Sequence, residues 1–325
     1  MLEGLKGKSV LVTGGAGFIG SNLVEALLNL GAKVSVFDNL ETGKRTNLTE
    51  FDSNEAFTFI EGDIRNYEDC LNAMDGIDLI SHQAALGSVP RSIEFPHNTH
   101  AVNATGFLNM LHAAKESGVK RFVYASSSSV YGDSPTSPKK EGEEGNPLSP
   151  YAVTKSLNEK YAKVYSQLHG METVGLRYFN VFGPKQDPNG VYAAAIPKFI
   201  DKMIHGQEII LNGDGEHTRD FTYVKNAVHA NLLALSATNT KIQGEVFNVA
   251  CGAAYSLNEI LHVIQESLKS NGLYNENTKI TNGPERSGDV KHSLADISKI
   301  TQLMEYDCKF DFNSGIKEYV GSLKN

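Results

Sequence analysis

Tyr151 and Lys155 stand four residues apart, a short way beyond a run of four serines, Ser126 to Ser129. On a helix that spacing puts a phenol and an ammonium on one face. Ser149 can cap such a helix and Pro150 suits its first turn. Free tyrosine titrates near ~10, and an adjacent positive charge favours its phenolate, moving the group toward proton transfer at neutral pH. A surface Tyr and Lys on an ordinary helix would share the spacing, so the pair takes its meaning from the elements that position it.

The first of these is Ser9-Val10-Leu11-Val12-Thr13, a β-branched run that reads as a buried strand and breaks at Gly14, Gly17 and Gly20. Ile19, Leu23, Ala26, Leu27 and Leu30 then recur at helical spacing until Gly31. In a strand, glycine turn and helix, Gly14 allows the tight turn, Gly17 lets backbone N–H groups approach a pyrophosphate, and Gly20 lets the helix pack close. The spacing departs from Gly-x-Gly-x-x-Gly, and a purely structural turn would also use it. A second strand, Lys33 to Phe37, ends in Asp38-Asn39, where an acid can take the ribose hydroxyls of NAD. Asp38 as a plain loop-starting residue is the alternative, and Lys44 and Arg45 leave a 2′-phosphate site open.

Strands at Phe57 to Ile60, Asp78 to Ser81 and Arg121 to Ala125 continue the pattern, with an amphipathic helix through Ala104, Phe107, Leu108 and Leu111. Strands alternating with helices imply an α/β chain with a doubly wound parallel sheet and ligands at the strand C-terminal ends. Asp63 could then meet an adenine and Ala84 a pyrophosphate, or both could be ordinary loop residues. Asn103 is a candidate polar contact, and Ser88, beside Arg91, overlooks the same edge. Pro135 to Pro147 reads as a mobile or solvated loop without chemistry.

Composition narrows the partners. The chain has 325 residues, 40% hydrophobic and 21% charged, with a net charge of -8 and no basic run, which argues against nucleic acid or an anionic membrane. No apolar run is long enough to span a bilayer and no signal segment precedes the first strand. Cys70, Cys251 and Cys308 are far apart and odd in number. They read as reduced thiols of a cytoplasmic protein, and no cluster has metal-ligand spacing.

Beyond Arg177-Tyr178 the pieces shorten, and Val246 to Ala250 looks apolar enough to return to the main sheet. The expected division is a nucleotide-binding domain over 1–178, with a returning strand near 246–250, and a smaller, interleaved α/β substrate domain over 179–325. Arg219 and Arg286 sit in Gly/Asp/Ser loops. They fit either a bound diphosphate or pairs with neighbouring aspartates such as Asp289.

With the glycine turn, Ser127, Tyr151-x-x-x-Lys155 and Arg177-Tyr178-Phe179-Asn180-Val181-Phe182-Gly183 in order, the chain resembles the extended short-chain dehydrogenase/reductase family over essentially its whole length. Within it the chain is similar to nucleotide-sugar 4-epimerases, especially those acting on UDP-N-acetylhexosamines, around Asp187 to Ala194 and Gly288 to Ser293. The resemblance implies a Rossmann-type fold, retained NAD, a UDP-sugar substrate and a homodimer. It implies that Tyr151 removes the sugar 4-hydroxyl proton, Ser127 bridges the transfer, and Lys155 lowers the Tyr151 pKa and holds the nicotinamide ribose. Cofactor contacts are implied for Phe18, Ile19, Asn39, Ile64, Ala85, Asn103 and Tyr178, and substrate contacts for Ser88, Ser128, Ser129, Asn180, Ala194, Lys198, Arg219, Arg286, Asp289 and Ser293. Related 4,6-dehydratases carry an Asp-Glu pair where this chain has Ser128-Ser129, so dehydration is not expected. Small Ser293 implies room for an N-acetyl group, and UDP-glucuronate 4-epimerases are the rival kind.

Overall fold

The computed structural model describes residues 2–189, 194–284 and 292–324. The strands of its first half are β1 (Ser9–Thr13), β2 (Lys33–Asp38), β3 (Phe57–Glu61), β4 (Leu79–His82), β5 (Arg121–Ser127) and β6 (Glu172–Tyr178). Later come β7 (Val181–Phe182), β8 (Ile209–Asn212), β9 (Thr218–Asp220), β10 (Thr222–Tyr223), β11 (Glu245–Val249), β12 (Ala254–Ser256), β13 (Ile280–Gly283) and β14 (His292–Ser293). The helices are α1 (Phe18–Asn29), α2 (Tyr67–Asn72), α3 (Val89–Glu94), α4 (Pro96–His100), α5 (Phe107–Glu116) and α6 (Pro150–His169). They continue with α7 (Ala195–His205), α8 (Val224–Ser236), α9 (Leu257–Ser270), α10 (Ser298–Met304) and α11 (Phe312–Ser322).

Seven parallel strands form the main sheet in the order β11-β6-β5-β4-β1-β2-β3. Because helices cover both faces, its central strands are apolar throughout: Val10, Leu11 and Val12 are wholly buried. This is the doubly wound, Rossmann-type α/β fold, with the edge that holds ligands at the strand C-terminal ends. At one edge of this sheet β11 pairs with β6 from Glu245↔Val174 to Val249↔Tyr178. The second half also contributes α8, which packs against α1. On that face one continuous core runs from Val10 and Leu23 to Phe312 and Ile316. A separate cluster around Phe107, Phe122 and Tyr124 fills the other face. The remaining strands form three small sheets, β12-β9-β14, β13-β8 and β10-β7, the cap.

Two expectations are corrected. Cys251 and Cys308 form a disulfide with their Cα atoms 5.2 Å apart, and Cys70 alone is a free, buried thiol. Distance along the chain hid this pair, because the end of β11 and the segment after α10 converge on the Asn226 side chain, which faces both sulfurs and the Phe310 carbonyl. The loop between Pro135 and Pro147 is anchored rather than loose. Glu141 accepts the Asn248 backbone N–H at 2.7 Å, Glu144 pairs with buried Arg177, and Lys139 bridges to Ala295. No helix among the described residues is long and apolar enough to cross a membrane.

Candidate active site

Two cavities open at the C-terminal edge. The first, about 370 Å³, runs from the glycine turn past Asp38 to Tyr151 and Lys155. Gly14 adopts φ +66°, and a Cβ there would lie 2.6 Å from the Ala84 backbone nitrogen. At Gly20 a Cβ would lie 2.2 Å from the Gly14 carbonyl oxygen, which is the close helix-to-strand packing expected of that glycine. Gly17 caps α1 with no side-chain acceptor, so the first N–H groups of the helix are available to an anion. Gly14, Gly17, Phe18, Ile19, Gly20, Ala84 and Ala85 all line the cavity.

Beyond the turn Asp38 is buried, accepting N–H bonds from Ala16 at 2.9 Å and Leu40 at 2.8 Å. Burial raises its pKa and these two bonds oppose that rise. Asn39, Asp63 and Ile64 line the same region. Asp63 is held down to about 2 by its Arg65 partner, so it is an anion at neutral pH, with Asn39 donating to it at 3.0 Å. Lys44 pairs with Asp187 at 2.9 Å and Arg45 with Asp52 at 2.5 Å, so both cations are engaged by carboxylates and an acid faces the ribose end. A pyrophosphate cradle that side chains would fill, an acid at the ribose position and a cavity extending to an acid–base pair together fit NAD.

The acid–base pair sits where α6 crosses the end of β5. Ser149 caps α6 by accepting the Ala152 N–H at 3.1 Å, Pro150 opens it, and Gly170 in the left-handed region closes it. This fixes Tyr151 and Lys155 on the face toward the sheet, with the ammonium 5.9 Å from the Tyr151 ring centre. Lys155 donates to the Ala125 carbonyl at 2.7 Å, and burial brings its pKa down to about 8 against the opposing pull of Glu159. Burial raises the Tyr151 phenol, and a hydrogen bond with Ser127 lowers it. The expected depression of Tyr151 is therefore outweighed by burial, which disfavours its anion.

Tyr178 also lines the cavity, with its hydroxyl turned into a buried network: it donates to Gln83 at 3.1 Å and accepts from Asn231 at 2.7 Å. Asn103 does not line the cavity. It occupies a π-helical turn, Ala101–Gly106, where its amide holds both the N–H and the C=O of Leu86. Ser88 caps α3 from a φ of 105°, and neither Ser128 nor Ser129 lines either of the two cavities, although the Ser129 hydroxyl is buried without a partner. His82, at no metal-ligand spacing in the sequence, is a buried neutral residue stacked on Phe122 and bonded to Thr13 at 2.8 Å. No cluster among the described residues could hold a metal ion.

The second cavity, about 320 Å³, lies under the cap and is lined by Asn180, Ala194, Ile196, His217, Arg219 and Phe221, among others. Asn180 has φ 37° and donates to the Asp220 carbonyl at 2.8 Å. Its strained backbone is of a kind that clusters at functional sites. Lys198 is half-buried one turn beyond Ala194, and Ser293 is Arg219's register partner across β14 and β9. Arg286 and Asp289 lie outside the described residues. Sequence reasoning missed Glu41, Thr42, Gly43 and Gln83 in the first cavity and His217 in the second. Thr42 and Gly43 had a signal in following the Asp38 turn closely; His217 had none.

Residues 10–250 match the model of the NAD dependent epimerase/dehydratase family. The chain belongs to that family. A putative UDP-glucose 4-epimerase of Methanocaldococcus jannaschii is 38% identical over 97% of this chain and 98% of its own. Among solved structures, the UDP-N-acetylglucosamine 4-epimerase from Methanobrevibacter ruminantium, in complex with UDP-N-acetylmuramic acid, is 39% identical with a TM-score of 0.90, covering 98% of this chain and 99% of that one. The Thermus thermophilus UDP-glucose 4-epimerase in complex with NAD is 34% identical with a TM-score of 0.86, at 98% and 99% coverage. This family member is an enzyme of the nucleotide-sugar 4-epimerase kind, and its cofactor is NAD.

Proposed function

We propose that the enzyme interconverts UDP-N-acetylglucosamine and UDP-N-acetylgalactosamine by inverting C4 through a transient 4-keto sugar, and also accepts UDP-glucose and UDP-galactose. The observation that carries the N-acetyl preference is Ser293, a small side chain directly across from Arg219, itself a wall of the cap cavity. Bound NAD supplies a reversible acceptor for the hydrogen leaving sugar C4. The protein's own work is proton transfer and grip. Lys155, anchored on the Ala125 carbonyl, supplies positive charge that supports Tyr151 as the phenolate; Tyr151, with Ser127 bridging the transfer, takes the 4-hydroxyl proton and becomes the phenol, and returns the proton when the keto group is reduced. Asn180 and Arg219 in the cap cavity, with Arg286, hold the UDP while the keto sugar turns and presents its other face. Ser128 and Ser129, hydroxyls without an acid among them, leave no group for eliminating water, so no 4-keto-6-deoxy product is released.

The working form in this reading is a homodimer feeding polysaccharide synthesis. Its contact surface includes the exposed apolar stripe of α6, where Val153, Val164 and Leu168 are 51%, 44% and 72% exposed. The deciding experiment incubates purified protein with UDP-N-acetylglucosamine, without added NAD, and separates the UDP-sugars. Appearance of UDP-N-acetylgalactosamine is expected. Turnover of UDP-glucuronate with none of the N-acetylated sugar would transfer the reading to the rival substrate. Ser293→Tyr is expected to depress N-acetyl turnover about tenfold or more while sparing UDP-glucose, the scale at which a pocket discriminates by size. Equal losses on both substrates would remove Ser293 from the pocket wall.

A further inference from the structure

Tyr151, Lys155 and Glu159 recur every four residues along α6 and so share its sheet-facing side. Three consecutive residues at the end of β5 meet them one for one. Ser127 acts on Tyr151 and lowers its pKa, the Ala125 carbonyl accepts from Lys155 at 2.7 Å, and the Ser126 hydroxyl donates to Glu159 at 2.5 Å. Behind Glu159 lies Arg177 of β6, the register partner of Ser126, with a side chain only 3% exposed. It grips the carboxylate with Nε at 2.9 Å and a terminal nitrogen at 2.7 Å, and turns its other terminal nitrogen to Glu144. A two-pronged guanidinium grip of this kind fixes orientation as well as charge.

We infer that Glu159 is a positioning residue for the reaction, setting the register of α6 on β5 and placing one negative charge behind the Lys155 ammonium. The surrounding charges single it out. Tyr151 shares the helix with Lys155, His82 of β4 acts on Lys155 from the sheet, and Tyr124 of β5 and Arg177 of β6 act on Glu159. Burial keeps His82 neutral, with a pKa near 3, and raises Tyr124 well above its ordinary range. Arg177 is a cation, already matched by Glu144 and Glu159. Glu159 is then the anion that opposes the desolvation of Lys155. Without it the ammonium would release its proton at a lower pH, leaving the phenolate less supported.

The inference rests on the acid–base reading above, and its test is read without substrate. Holoenzyme grown on lysine carrying 13C at the ε position is titrated by NMR, with the Lys155 signal assigned from Lys155→Met. Glu159→Gln keeps the acceptor for Ser126 and is expected to lower the Lys155 midpoint by about one pH unit. Glu159→Asp should restore it, and Ser126→Ala should leave it in place while slowing turnover severalfold. The alkaline limb of the epimerisation rate moves with the midpoint. An unmoved midpoint in Glu159→Gln, with turnover falling equally at every pH, would reduce Glu159 to a structural role. Should that variant fail to fold, Arg177→Met alone removes the cation that offsets Glu159 and is expected to raise the Lys155 midpoint, and an unmoved midpoint there overturns the proposal equally. Loss of the UDP-sugar reaction in the parent enzyme would sink the substrate reading alone, since the titration stands without it.

Discussion

Replacing Tyr151 with phenylalanine is expected to cut 4-epimerase turnover by about two to four orders of magnitude, the usual weight of a positioned acid–base group, while NAD stays bound. The ring is kept, so the contact with Lys155 at 5.9 Å and the wall it gives the cofactor cavity are largely undisturbed. Only the hydroxyl is lost, and with it the proton path to Ser127. Ser127 cannot take over alone, because a serine hydroxyl lacks a pKa within reach of neutral pH and its oxygen already accepts the Ser129 N–H at 3.1 Å. UDP-sugar conversion and NAD released on denaturation are measured on the same sample. Turnover within tenfold of the parent would remove Tyr151 from the chemistry, whereas loss of NAD would make it a cofactor-site wall.

A second large effect is expected from Gly14→Ala. The residue holds φ +66°, which costs an L side chain about 1 kcal/mol or more, and the added methyl would meet the Ala84 nitrogen at 2.6 Å and its Cα at 2.7 Å. Those are backbone atoms at the end of β4 and cannot swing aside as a long side chain would. The expected loss of stability is about 2–4 kcal/mol, strain and overpacking together, with weakened NAD retention because the turn that aims the first α1 N–H groups is displaced. Denaturant midpoints and bound NAD report the two effects separately. Gly4→Ala, where nothing lies within 4 Å, is the control and should change neither. A Gly14→Ala protein with full NAD content and an unchanged midpoint would contradict the close approach of the turn to β4.

These two residues also show why part of the site could be read from the chain alone. The glycine turn, Asp38 and the Tyr151–Lys155 spacing are local: each is a few residues whose conformational demands are written in adjacent letters, and the parallel sheet follows from strand–helix alternation. What escaped is held across long separations. The Cys251–Cys308 bond joins residues 57 apart, and Asn231 reaches Tyr178 of β6 from α8. Glu141 and Glu144, in a stretch whose composition suggests solvent, are anchors because β6 and β11 present an arginine and a backbone N–H to them. Asn103 was placed near the right element but its amide is consumed by Leu86, a distinction of side-chain direction that periodicity cannot make. Glu159 had a legible signal, the continuation of the same four-residue spacing, and lacked only its partners on β5 and β6.

The position of β11 bears on how the chain comes into being. A ribosome delivers residues 172–178 well before residues 245–249, yet those two segments are neighbours in the finished sheet. In the interval β6 has one bare side, a row of unpaired peptide groups open to any extended strand nearby. A nascent or truncated chain ending after Tyr178 would hold every part of the glycine turn and the Tyr151–Lys155 pair, but not a closed sheet or the α8 layer over α1. Every residue that lines the cofactor cavity is thus synthesised before the strand and helix that cover the flank of its sheet.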